Sequence, residues 1–131
     1  MKIEMPYHEI GIFAREYLKK SVGIKYAGNH SVELNFMASV TVSMAEVWPH
    51  GLLLDYKTSA IVNMMIGGMR NTIRQELAKF PALEWLEDNK QLSLNLQKLP
   101  QLSEFLRIFS ISSCSFEETG LKLELASSLP A

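Results

Sequence analysis

The sequence predicts an α+β fold: a coiled antiparallel sheet with long strands, packed on one long helix at 58–80. An N-terminal helix at 6–20 and a short helix at 100–106 complete it. Three observations lead there. Residues 32–44 alternate apolar and polar side chains with period two, the pattern of a half-buried strand. Residues 58–80 repeat apolar side chains at helical spacing over a matching length. Turn signals divide the remaining strand-like runs into hairpins, which favours antiparallel pairing with helices segregated to one face over a parallel α/β arrangement.

In chain order, Ile10, Phe13, Ala14, Tyr17 and Leu18 form the stripe of the first helix. Pro6 suits its first turn, Lys19 and Lys20 its negative end, and Gly23 is placed to stop it. Asn29 beside Gly28 makes a turn, so Ile24–Ala27 is a short pairing partner for the next strand. In that strand Val32, Leu34, Phe36, Ala38, Val40, Val42 and Met44 share one face, and Ala38 or Ser39 marks its bend. Pro49-His50-Gly51 turns the chain into Leu52, Leu54 and Tyr56, predicting a hairpin of 32–47 with 51–57. Ser59 caps the main helix, whose stripe is Val62, Met65, Ile66, Met69, Ile73, Leu77 and Phe80, and Pro81 ends it. Residues 82–88 read as a further helical turn with Leu83 and Leu86 inward. Leu92, Leu94 and Leu96 mark a short strand, and Pro100 opens a helix with Leu102, Phe105 and Leu106 on one side. Residues 107–117 alternate only weakly, whereas Glu118-Thr119-Gly120 turns into Leu121, Leu123 and Leu125 as a closing hairpin. The expected organisation is a single domain over 1–131 with a loose tail from about 126.

The 131 residues suit one core, and an apolar fraction of 47% with 21% charged argues against disorder. A net charge of −1 with scattered cations argues against a nucleic-acid partner. No run is apolar enough to span a bilayer, and no secretory signal is visible in Met1–Pro6, so the expected compartment is cytoplasmic.

Catalytic and metal chemistry find little footing. His8, His30 and His50 have no partner at metal-ligand spacing; His30 and His50, both in turns, read as solvated. Cys114 has no disulfide partner and reads as a small half-buried residue. Neither a nucleophile elbow nor a phosphate loop is present, so no enzyme, metal or cofactor is expected. The unusual segment is Met64-Met65-Ile66-Gly67-Gly68-Met69, because two glycines within a helix cost about 1 kcal/mol each against alanine. Close packing of the helix on the sheet would account for them. So would an adaptable apolar wall of methionines lining a ligand site.

The long hairpin, the matched helix, Leu92-Ser93-Leu94-Asn95-Leu96 and the terminal Gly120-Leu121-Lys122-Leu123-Glu124-Leu125 together resemble tubular lipid-binding (TULIP-like) domains. The resemblance spans most of 8–126 and rests on element order. It implies a long helix wrapped in a curved sheet, with an apolar groove for acyl chains. The leading expectation is thus a non-enzymatic module binding a lipid or other apolar ligand, walled by Leu34, Phe36, Val40, Leu52, Leu54, Met65, Ile66 and Met69. The alternative is a protein-interaction or oligomerisation module, such as a homodimer, using sheet edges, with Trp48 and Trp85 near element ends as anchors.

Overall fold

The computed structural model describes residues 1–36 and 38–127, and only the backbone of Phe36 and Gln101. The place of Met37 in the alternating strand and any tail beyond Ser127 lie outside the described residues. The elements are β1 (Lys2–Met5), α1 (Tyr7–Leu18), β2 (Gly23–Gly28), β3 (Ser31–Phe36), β4 (Ala38–Trp48), β5 (Gly51–Lys57), α2 (Ala60–Gly68) and α3 (Arg70–Leu77). There follow β6 (Leu83–Leu86), β7 (Gln91–Asn95), α4 (Pro100–Ser103), α5 (Phe105–Ile108), β8 (Phe109–Glu117) and β9 (Gly120–Ser127). The fold is α+β with two antiparallel sheets, a six-stranded one in the order β2-β3-β4-β5-β7-β6 and a three-stranded one in the order β1-β9-β8.

The period-two run of 32–44 is a hairpin and not one long strand. Val32 pairs with Val42, Leu34 with Val40 and Phe36 with Ala38, so the chain reverses between Phe36 and Ala38. Each pair is separated by an even number of residues, and every side chain therefore keeps its face through the reversal. Alternation alone is blind to such a fold-back. Rows then run straight across the sheet: Tyr26, Val32, Val42 and Tyr56 on the core face, and Lys25, Glu33, Thr41 and Lys57 on the other. The bend expected at Ala38 or Ser39 is the hairpin reversal, which ends at Ala38, and a separate irregularity in β4 falls between Met44 and Glu46. Neither sheet is strongly curled.

The main correction concerns what covers the sheet. Val32, Val42, Leu52 and Leu54 of the large sheet are buried with Leu106 of α5 and with Ile111, Cys114, Leu121 and Leu125 of the small sheet. The core is therefore sheet against sheet, closed at one side by α1 through Tyr7 and Ile10. Neither α2 nor α3 buries a residue. The expected long helix at 58–80 is two helices broken at Met69, and it does not pack over the strand of 32–44. The reason is that β1, which no sequence pattern marks, joins the closing hairpin of β8 and β9 in a second sheet that takes the face expected for the helix.

Smaller corrections follow the same physics. Helix α1 stops where Lys19 turns left-handed (φ 59) and its N–H donates to Arg15 O at 2.7 Å, while Gly23 starts β2. Residues 83–86 form a strand and not a helical turn: Leu83 and Trp85, facing Leu94 and Leu92, share one face of β6. The 100–106 helix is two single turns, α4 and α5, with Leu106 buried. In β5 Leu53 is buried as well as Leu52 and Leu54, because a central strand can be covered on both faces. Ala126 and Ser127 belong to β9, pairing with Ser110 and Phe109, so the chain is still ordered where a tail was expected to begin.

Cys114 is a core residue and not half-buried, and its burial pushes the thiol up to about 12. An unfolded thiol ionises near its ordinary 9.0, so between those values the native state keeps a proton that the unfolded chain has released. Stability contributed by Cys114 therefore falls as pH rises through that window, by at most about 1.4 kcal/mol per pH unit. Urea unfolding at pH 8.5 and 10 should show wild type losing about 1 kcal/mol more than Cys114→Val. Parallel losses in the two proteins would contradict a buried thiol.

Candidate functional site: an outward-facing apolar helix

The candidate site is built on α2. Ser59 caps it as its sequence position indicates, the hydroxyl accepting from Val62 N–H at 3.2 Å. From Ala60 to Met69 the only polar side chain is Asn63. A helix apolar around its whole circumference needs cover on more than one side. Here Val62 and Ile66 are half-buried, whereas Ile61 is 73%, Met64 77%, Met65 50% and Met69 39% exposed. Ile61, Met64, Met65 and Gly68 recur at i, i+3, i+4 and i+7, so the apolar stripe points into solvent.

What holds α2 in this attitude is α3. Arg70 Nε lies 2.6 and 2.8 Å from the two carboxylate oxygens of Glu87, just beyond β6. The Arg74 guanidinium stands 5.4 Å over the Trp85 ring, and Trp85 Nε1–H donates to Tyr56 Oη at 2.8 Å. At the far end Phe80 meets Tyr17 of α1 with ring centroids 5.3 Å apart. Lys79 and Lys20 both pair with Glu76 and hold its carboxyl below the usual range, the Lys79 hydrogen bond contributing most. A polar, anchored α3 thus carries an apolar α2 on its end.

Gly67 and Gly68 do not serve close packing. A Cβ added at either would meet nothing within 4 Å. Neither glycine has a positive φ, so the only intrinsic effect of alanine there is better helix propensity. Gly67→Ala should therefore raise stability by about 0.5–1 kcal/mol, read as a higher urea midpoint. A loss of stability would show that the backbone packs closely after all.

The residues expected to wall a ligand groove are not brought together. Leu52 and Leu54 are core, Leu34 and Val40 are half-buried at its margin, and the Phe36 side chain lies outside the described residues. Met65, Ile66 and Met69 sit on α2, apart from that core. Among the described residues, clefts open elsewhere at the surface, and the two most developed include none of the eight. One, about 440 Å³, lies beside Trp48, His50, Glu84, Ser93 and Asn95; the other, about 340 Å³, lies between α1 and β2. Trp48 is 38% exposed at the end of β4, its Nε1–H donating to Glu46 at 3.0 Å, and Trp85 is tied up under Arg74.

Sheet edges offer less than the alternative reading supposed. The outer strands are short and charged, as in β1 with Lys2 and Glu4, or flanked by a helix, as in β6 by α3 and β2 by α1, or irregular, as in β2 between Tyr26 and Gly28 and β8 between Ile111 and Ser113. Such edges resist pairing with another chain. His30, exposed in the β2–β3 turn, pairs with Glu117 at 3.3 Å, and His50 lines the larger cleft. Among the described residues no three His, Cys, Asp or Glu side chains are grouped to hold a metal. No helix among them is long and apolar enough to cross a membrane. Comparison with protein-family models, curated proteins and solved structures finds no match.

Proposed function

We propose that the protein is a non-enzymatic docking module that engages its partner through the exposed face of α2, with Ile61, Met64, Met65 and Met69 as the contact residues. One observation carries this reading: the core closes between two sheets without α2, yet α2, with Asn63 as its one polar side chain, presents its apolar surface to solvent. Contiguous exposed apolar surface is costly to keep on a monomer and marks interaction sites. Methionine suits the role, since its unbranched side chain adapts to varied surfaces. The interaction module expected from sequence is retained, moved from the sheet edges to the helix. An internal acyl-chain groove has no comparable support, because its expected walls are dispersed between core and surface.

The test is photocrosslinking in cells. A photoreactive side chain at position 64 should yield adducts, while the same group at position 25, on the polar face of β2, should yield none. Equal yields at the two positions, or none at either, would remove the basis of this reading.

A further inference from the structure

Building on that docking role, we infer that the surface α2 docks on is anionic lipid. The charge around α2 points there. Residues 58–69 contain no ionisable side chain, so the whole helix can leave water without burying a charge. Lys57 stands immediately before this stretch and Arg70 immediately after it, with Arg74 and Lys79 farther along. Between 57 and 79 these four cations stand against one carboxylate, Glu76, in a chain whose net charge is −1. Glu87 offsets part of Arg70 and Arg74, and Glu76 offsets Lys79, so two carboxylates stand against these four cations and the balance beside α2 stays positive. An apolar helix with a cationic surround is matched by acyl chains beneath anionic headgroups.

Area and shape disfavour a second copy of the chain. Ile61, Met64, Met65 and Met69 are four side chains on one short helix, whereas a stable protein interface takes ~800 Å² and about 20–30 residues from each partner. The face is a projecting helix and not a groove, and Gly67 and Gly68 leave its end without side chains. A fluid lipid surface needs no complementary shape, and shallow insertion of four flexible side chains reinforced by cations gives reversible attachment.

The test uses the whole chain with phosphatidylcholine vesicles, alone and mixed with phosphatidylglycerol, read by co-sedimentation, with light scattering of the free protein alongside. The partition coefficient should be about tenfold or more higher on the mixed vesicles and should drop in high salt. Ile61→Asp/Met64→Asp should lower it about tenfold or more while melting like wild type. Equal affinity for both vesicles, or binding that survives the double substitution, overturns the inference. Absence of vesicle binding also overturns it, and what remains is then distinguishable. A dimer that the double substitution dissolves, or protein adducts at position 64, leaves docking through α2 intact with a protein partner. No vesicle binding, no self-association and no adducts remove both.

Discussion

Gly120→Ala should destabilise the fold by about 3 kcal/mol or more, at or beyond the top of the usual overpacking range. Gly120 opens β9 directly against the end of β1, and a Cβ there would overlap Met5 O and lie 2.9 Å from Met5 C. Those are backbone atoms held by the β1–β9 ladder, so no rotamer change relieves the overlap. The same junction fixes the start of α1. Tyr7 O–H donates to Glu117 O at 2.5 Å and lies 3.2 Å from Gly120 O, and Thr119 bonds the Glu4 carboxylate. Burial is the main cause that raises the Tyr7 phenol above its ordinary value, as expected where α1 closes the core. A two-state domain with the ordinary 5–15 kcal/mol of stability would lose a large share of it. Urea unfolding measures the loss. A change under about 0.5 kcal/mol, the scale of an unremarkable surface site, would contradict this junction.

Ile111→Ala should cost about 2–4 kcal/mol, through lost transfer energy and the cavity left behind. Ile111 is 6% exposed on β8 and belongs to the cluster shared by the two sheets. Its N–H also donates to Pro49 O at 2.8 Å, which ties β8 to the end of β4 and survives the substitution. The comparison with Met65→Ala makes the result informative. If helix 58–80 covered the large sheet, Met65 would be the core residue and Ile111 a dispensable one. With the sheets packed on each other, Met65→Ala stays within about 0.5 kcal/mol. Guanidinium unfolding of the two variants side by side decides the order, and a larger loss at Met65 would reverse the assignment.

Local chemistry was legible in the sequence where it is strictly local. The turns at Asn29 and at Pro49-His50-Gly51, the Ser59 cap, the inward set of Leu102, Phe105 and Leu106, and the closing hairpin at 118–120 all follow from residue type and spacing. What escaped depends on pairing between distant segments. The hairpin reversal between Phe36 and Ala38 preserves parity, so thirteen alternating residues look alike whether straight or folded back. Strand β1 is only four residues long and has a partner, β9, at the opposite end of the chain. Strand β8 hides its alternation behind serines and an irregularity between Ile111 and Ser113. The closing hairpin is legible by itself, but without β1 and the full length of β8 it does not read as a second sheet, and the long apolar helix looks like the available cover. The Met-Met-Ile-Gly-Gly-Met segment stands out in the sequence. The sequence signal that could have redirected its reading is the lack of a polar face between Ala60 and Met69, which a one-sided core helix would have.

On the docking proposal, the apolar face of α2 serves contacts outside the molecule and contributes nothing to the fold. Urea unfolding of Ile61→Asp/Met64→Asp tests it most directly. Both side chains are more than two-thirds exposed, so the account predicts an unchanged slope and a midpoint at or slightly above that of wild type. A loss of several kcal/mol, the cost of burying two carboxylates in a core, would contradict it.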